Sequence, residues 1–483
     1  MGGEEGPGAE SAARIRRDET ARRPSKRVMS KSDAPPRSIW SRSATLVRLG
    51  ASVARREVAG RLGATAGGDG ATREVRAALA RVSTQVEHAR ELVEALGQLK
   101  GAAMKAGQLM SMELRDVLPP EVIVVLQRLQ DSGENVSFAE VTSILRDELG
   151  AALAELDVEP TALASASIGQ VHRARWTPAE GPARDVVLKV QFRGIAETID
   201  SDLAILERVA RLFLSVQLKS IDLAAVFAEL NEVLKRETDY EAEARSLGEY
   251  RAFADRVVGL AVPTVYAAIS TKKVLALSFE EGQRFEEFLS THRDEATRNA
   301  VAHQLMDLYF KEFFEWGIVQ TDANFANFLF RDRAGAAASG VEVVLLDFGA
   351  TRGYEPAFRE SYRALLRACF DDRRAEAIAI AEALQLIDPR EAAPCKEALV
   401  DLIRLVLRVF RRESQPVDFT DRALVVDAAE AVKGFYQSLK RSPPPAQLLF
   451  LHRKLGGVYS MGKALGAKID LTPYWQRLER PIA

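Results

Sequence analysis

Two short segments in the C-terminal half constrain this chain more than any other part of it. The first is Val319-Gln320-Thr321-Asp322-Ala323-Asn324-Phe325-Ala326-Asn327-Phe328; the second, a little farther on, is Val343-Val344-Leu345-Leu346-Asp347-Phe348-Gly349. They supply an aspartate, an asparagine five residues later, and a second aspartate that closes an apolar strand. Phosphoryl transfer asks for such a set. It needs a carboxylate near the attacking oxygen, and an amide oxygen with a second carboxylate to hold magnesium against a triphosphate. Asp-Phe-Gly alone is a common strand-end turn; behind an apolar strand and after Asp-x4-Asn it becomes specific.

The interval from Asp322 to Asn327 is that of a kinase catalytic loop. An ATP site of this kind also needs a strand lysine for the α and β phosphates and a helix glutamate to orient it. Lys189, after Val186-Val187-Leu188, suits the first role. A lysine on a buried strand is costly unless paired, and the alternative is an edge-strand lysine in solvent. The glutamate must come from Arg236-Glu237-Thr238-Asp239-Tyr240-Glu241-Ala242-Glu243-Ala244, about fifty residues beyond the lysine. Charge periodicity does not choose among these acids, and a solvated acidic face fits them equally. Where a Gly-rich loop would cover the phosphates stands Ala162-Leu163-Ala164-Ser165-Ala166-Ser167-Ile168-Gly169-Gln170-Val171. Alanine and serine still offer backbone N–H groups to phosphate oxygens, but their Cβ atoms stiffen the loop. No Ala-Pro-Glu follows Asp347, so the usual peptide-docking platform is not expected.

At 483 residues and 47% hydrophobic, the chain can bury two or three cores. Cys369 and Cys395 lack the number and spacing of a disulfide framework or zinc site, which fits a reducing compartment. A net charge of −2 gives no general attraction to nucleic acid, although residues 1–50 hold 11 Lys/Arg against 6 Asp/Glu. The start Met1-Gly2-Gly3-Glu4-Glu5 is no signal peptide, its acids speak against a mitochondrial transit peptide, and no apolar run reaches membrane length. The expectation is a cytoplasmic protein, at most peripheral at the inner face of a membrane.

Residues 1–40 lack apolar periodicity and read as a disordered tail. Residues 41–80 hold a basic amphipathic helix over 41–62 and a Gly-rich linker. That helix could lie on anionic lipid, though a surface helix packed on the protein with a solvated arginine face is the commoner case. Residues 81–160 read as a helical extension, with Leu92, Leu96, Leu99, Ala103, Ala106 and Met110 at spacings of three and four. Strand patterns at 168–174 and 185–191, joined by a turn at 180–182, open a lobe over 161–282. Long helical patterns at 195–218 and 223–253 follow, then short strands at 261–265 and 274–279. Residues 283–483 are mostly helical. The order predicts an α+β fold of two lobes, kinase-like, behind an N-terminal helical extension.

Together these segments resemble the UbiB family of atypical kinases. The separating signature is Lys105-Ala106-Gly107-Gln108, joined by Ser167-Ile168-Gly169-Gln170-Val171-His172, the Glu237-x-Asp239 pair and Glu243. The resemblance covers roughly residues 85–480. It implies that Lys189 contacts the nucleotide phosphates and pairs with Glu243, that Asn327 and Asp347 hold Mg2+, and that Asp322 is the catalytic-loop aspartate. The loop Ala164-Ser165-Ala166-Ser167-Ile168-Gly169 would cover bound ATP or ADP. Lys105 and Gln108 would pack over that site near Glu237 and Asp239, where a protein substrate would otherwise bind, favouring ATP hydrolysis or a small substrate. Gln320-Thr321-Asp322 and Phe348-Gly349-Ala350-Thr351-Arg352 look like the coenzyme-Q-linked branch and its bacterial relatives. Ala323 and Ala162 stand where proline is common, and neither position needs a side chain.

The function expected is an ATPase or atypical kinase supporting ubiquinone or isoprenoid-lipid metabolism, with a quinone-type lipid and quinone-biosynthesis enzymes as partners and no nucleic acid. The complete set Lys189, Asp322, Asn327 and Asp347 favours it. The alternative is a nucleotide-sensing pseudokinase scaffold that recruits partner enzymes or lipid. A small-molecule phosphotransferase of the aminoglycoside- or choline-kinase type would lack the Lys-x-Gly-Gln segment. The five histidines and four tryptophans show no metal or base-stacking pattern.

Overall fold

The computed structural model describes residues 136–479, apart from 167, 215–222, 422–425, 428–429, 433, 436–438 and 440–445. All of them belong to the compact unit that spans residues 94–483. The expected tail, the basic helix and the Lys105–Gln108 segment lie outside the described residues.

Helix α1 (Phe138–Leu149) starts at Ser137, whose hydroxyl accepts the Glu140 N–H. Such a cap is worth about 1 kcal/mol. An antiparallel sheet follows, in the order β1 (Leu156–Ala166), β2 (Gly169–Trp176), β3 (Arg184–Gln191) and β5 (Val274–Ser278). Residues 156–160, expected in the helical extension, are strand: Leu156-Asp157-Val158 pairs with Trp176-Arg175-Ala174. The register then slips between Val158 and Ala162, across Pro160. Proline has no N–H to give the ladder and is tolerated because β1 is an edge strand.

Strand periodicity divides the sheet into two faces. Val186, Leu188 and Val190 point to one face and pack with Val141, Ile144 and Leu145 of α1. Their neighbours Val187 and Lys189 point to the other, beside Leu275 and Leu277, toward the main core. Helices α2 (Ile195–Leu214) and α3 (Leu223–Glu237) lead to α4 (Tyr240–Ala254). The helix expected over 223–253 is thus broken. Asp239 leaves helical geometry to cap α4, its Oδ1 accepting the Ala242 N–H at 3.0 Å.

The second lobe holds α5 (Phe285–Thr291) and α6 (Glu295–Phe310), then a π turn over Lys311–Trp316. Strands β4 (Leu260–Ala261), β8 (Val341–Leu345) and β7 (Phe328–Asp332) form one sheet; β6 (Ile318–Gln320) pairs with β9 (Thr351–Gly353). Of the strand expected over 261–265, only its first residue is in β4. Helices α7 (Pro356–Phe370), α8 (Arg374–Ala383), α9 (Ala393–Leu407), α10 (Ala446–Leu465) and α11 (Thr472–Leu478) complete the lobe. The strand pair β10 (Val417–Asp418) and β11 (Lys468–Ile469) ties the chain after α9 to the end of α10. No described helix is long and apolar enough to cross a membrane.

Candidate active site

Lys189 emerges from β3 on the face turned toward α4, where Glu243 waits one turn from the helix start. Glu243, Leu247 and Tyr250 are all buried and fall at i, i+4 and i+7, so they form one stripe facing inward. Lys189 Nζ donates to Glu243 Oε1 at 2.5 Å and lies 3.8 Å from Asp347 Oδ2. Burial alone would lower the ammonium's pKa, but Asp347 and Glu243 outweigh it and hold Lys189 above its ordinary value. Burial likewise pushes Glu243 up, against the pull of Lys189 and of the Phe348 N–H, which donates to the same Oε1 at 3.3 Å. The lysine is therefore a fixed cation, and the edge-strand alternative does not hold.

Asp347 lies two residues beyond the end of β8, in a turn whose Gly349 N–H donates to Oδ1 at 3.0 Å. With 41% of its side chain exposed, against 15% for Lys189 and 6% for Glu243, it is the carboxylate of the three that a solvated ligand can reach. Next to it, the Leu346 N–H donates to the Asn327 carbonyl at 3.0 Å, which binds the two oxygen-bearing segments together. A short turn over Phe325–Asn327, capped by Asn324 Oδ1, folds Asn327 back onto Asp322. Asn327 Nδ2 donates to Asp322 Oδ2 at 3.0 Å and to its carbonyl at 3.1 Å, leaving Oδ1 of the amide for a cation.

These donors fit magnesium, a hard ion that takes one or two protein oxygens and completes its octahedron with phosphate and water. Among the described residues no three His, Cys, Asp or Glu side chains gather to hold a metal unaided.

The catalytic loop is also stitched to the segment beyond Asp347. Gln320 pairs with Thr351, and Thr321 Oγ1 donates to the Ala350 carbonyl at 2.6 Å. Both segments singled out in the sequence therefore meet. The residues expected over the nucleotide form the end of β1 and the turn into β2, with Ser165 opposite Gln170 and Ala166 opposite Gly169. Ala164 and Ser165 are exposed and Ile168 is buried. Ser167, like Lys105 and Gln108, lies outside the described residues. Gly169 cannot carry a side chain, because a Cβ there would sit 2.4 Å from the Val190 carbonyl oxygen. Glu237 closes α3 and lines a cleft with Thr321, Ala350, Arg352 and Arg453, whereas Asp239 caps α4.

Sequence reading missed one residue of the site. Arg453, on α10, donates from Nη2 to Asp322 Oδ1 at 2.7 Å. Its signal in the sequence is a pair of adjacent cations, Arg453-Lys454, next to Gly456-Gly457 in a largely apolar helical segment.

Comparison with known proteins agrees with this geometry. The ABC1 atypical kinase-like domain matches residues 128–381. The mitochondrial atypical kinase COQ8 of Saccharomyces cerevisiae is 30% identical over 387 residues, covering 79% of this chain and 74% of its own length. Its Schizosaccharomyces pombe counterpart is 30% identical, covering 78% of this chain and 60% of its own length. The Caenorhabditis elegans atypical kinase is 27% identical, with 79% and 50% covered. Among solved structures, Rv3197 of Mycobacterium tuberculosis in complex with erythromycin aligns with a TM-score of 0.53 at 25% identity, covering 85% of this chain and 99% of that one. The chain belongs to the ABC1 atypical kinase-like family, the UbiB-type group that its motifs resemble.

Proposed function

We propose that the protein binds Mg–ATP and either hydrolyses it or transfers its terminal phosphoryl group to a small or lipid-type acceptor, in support of ubiquinone or isoprenoid-lipid metabolism. The observation that carries this reading is the 2.5 Å Lys189–Glu243 pair facing the Asp347 carboxylate, with Asn327 and Asp322 joined beside it. Lys189, held cationic, would grip the α and β phosphates. Asn327 and Asp347 would hold magnesium, which supplies charge neutralisation at the transferring phosphoryl group. Asp322, its two oxygens oriented by Asn327 and Arg453, would align the attacking hydroxyl or water. The hairpin Ala164–Gly169 would cover the nucleotide, and Lys105 and Gln108 would narrow the acceptor side toward water or small acceptors.

The quinone connection is supported by the COQ8 atypical kinases among the relatives, which are mitochondrial proteins. The decisive experiment is Mg-dependent ATP turnover by the purified protein, with and without anionic liposomes carrying a phenolic quinone-precursor mimic, beside Asp347→Asn. Turnover that rises with lipid and vanishes in the variant is the expected result. Nucleotide binding with no turnover in any condition would overturn the enzymatic reading in favour of a nucleotide-sensing scaffold.

A further inference from the structure

The helix α10 lies more than a hundred residues beyond the catalytic loop in sequence, yet three consecutive features of it meet that loop. Arg453 Nη2 donates to Asp322 Oδ1 at 2.7 Å, in a pair whose side chains are only 15% and 17% exposed. One turn on, on the same helix face, a Cβ at Gly457 would fall 2.4 Å from Ala323 Cβ and 2.8 Å from the Ala323 carbonyl oxygen. The helix therefore rests directly on the loop, and only glycine permits that approach. Between them, Lys454 Nζ is 2.9 Å from Glu312 Oε2 and donates to Gln320 Oε1 at 3.3 Å; Gln320 Nε2 in turn donates to the Asp322 carbonyl at 2.9 Å.

We propose that Arg453 is a positioning residue for the reaction: it fixes the Asp322 carboxylate, which makes the C-terminal helix a working part of the catalytic loop. This rests on the phosphoryl-transfer reading above. A carboxylate offers about four lone-pair sites over two oxygens. Arg453 takes one on Oδ1 and Asn327 one on Oδ2, so the plane of the group is set while a site on each oxygen stays open to a hydroxyl or water. Arginine suits the task because its rigid fork holds an angle that a lysine cannot. Anchoring the helix does not require this pair. Leu451, Val458 and Met461 bury α10 in the main core, and Lys454 ties it to Glu312. An added charged pair aimed at Asp322 is then explained by the chemistry, not by the fold.

The test uses the full chain, measuring kcat and KM for Mg–ATP turnover in wild type, Arg453→Ala, Arg453→Lys, Asp322→Asn and the double variant Arg453→Ala/Asp322→Asn. Hydrogen–deuterium exchange of the segment 318–330 is followed in parallel without nucleotide. Loss of positioning should lower kcat about tenfold to a hundredfold in Arg453→Ala, with KM for ATP moving less than about twofold. Arg453→Lys should fall between, Arg453→Ala should add nothing once Asp322 is asparagine, and exchange in 318–330 should quicken. An unchanged kcat, a loss that adds to that of Asp322→Asn, or a loss confined to KM would overturn the proposal. Should Arg453→Ala fail to fold, Arg453→Lys, which keeps the charge but not the fork, decides by the same readouts. If the wild type turns over no ATP, the phosphoryl-transfer reading falls separately. Exchange then decides alone: quickening upholds the clamp, and no change removes it.

Discussion

Glu243 and Tyr250 sit two turns apart on one face of α4, so the helix that pins Lys189 at one end grips Glu312 at the other. Tyr250 donates to Glu312 Oε1 at 2.6 Å, and its ring packs edge-on against Phe348 with centroids 4.9 Å apart. The position of Lys189 is thereby tied to the core of the second lobe. Glu312 also meets Lys454, and Lys454 meets Gln320, so one buried polar network touches α4, α10 and the catalytic loop.

Glu243→Gln keeps the shape of the side chain and removes its charge. Lys189 is then left to Asp347, 3.8 Å away, and is drawn toward the carboxylate expected to hold magnesium. A charge-assisted hydrogen bond contributes about 1.5–3 kcal/mol, which at about 1.4 kcal/mol per decade predicts a loss of one to two orders of magnitude in kcat/KM for ATP. Steady-state kinetics checks it. Activity within about twofold of wild type would mean that the pair does not orient the lysine.

The Lys454–Glu312 pair is almost completely buried, at 1% and 0% exposure. Removing one partner of such a pair costs about 3–5 kcal/mol, because the other charge is left without compensation. Lys454→Met should therefore lose stability on that scale in urea denaturation at neutral pH. The pH dependence has a definite sign. Burial already holds Glu312 above the usual carboxyl range, against the pull of Lys454, Tyr250 and the Gln320 N–H. A carboxyl with a raised folded-state pKa contributes stability that is complete below its unfolded value, about 4.3, and is lost as pH rises through the folded value. Without the ammonium that value climbs further, so both proteins lose stability together up to the wild-type folded value of Glu312, and the deficit of Lys454→Met should widen as pH rises above it toward neutral. A deficit constant with pH would show that Glu312 is already neutral in the wild type.

Gly169→Ala tests how rigid the turn proposed to cover the nucleotide is. The added Cβ meets the Val190 carbonyl oxygen at 2.4 Å and the Tyr240 hydroxyl at 3.1 Å, and the first belongs to the backbone of the next strand. Overpacking of this kind costs about 1–3 kcal/mol. The melting temperature should drop, and nucleotide affinity should drop with it, because β2 must move away from β3 next to Lys189. A drop in stability with unchanged affinity would separate the turn from nucleotide binding.

How far this architecture was legible varies by residue. Lys189, Asp322, Asn327 and Asp347 could be read because strand alternation and loop spacing are local rules, and each places its residue without knowledge of the rest of the fold. Glu243 could not be chosen by charge alone, since Glu237, Asp239 and Glu241 surround it; what selects it is the break at Asp239, which sets the helix phase so that Glu243 shares a face with Leu247 and Tyr250. Arg453 and Gly457 stayed hidden for a different reason. Their partners Asp322 and Ala323 are distant in sequence, and a helix pattern says which face is apolar, not what that face will meet. The start of β1 at Leu156 is hard to read because only Leu156 and Val158 alternate with polar residues before Pro160 interrupts the pattern, a run too short to stand apart from the helical periodicity before it.

Cys369 and Cys395 give the last prediction. Both are buried. Burial pushes the Cys369 thiol up to about 12, although Arg404 and Arg374 pull in the opposite direction. The thiolate is the reactive form, and with a pKa about four units above the solution only roughly one thiol in ten thousand is ionised at pH 8. Native protein should therefore resist alkylation by iodoacetamide at pH 8 over hours and react fully once unfolded in urea, with labelling sites located by peptide mass spectrometry. ATP turnover should be unchanged by the reagent on the same timescale, since neither thiol is among the residues proposed to hold nucleotide or metal. Rapid native labelling at Cys369 would mean that α7 opens locally around that position, because the thiol must reach solvent before it can react.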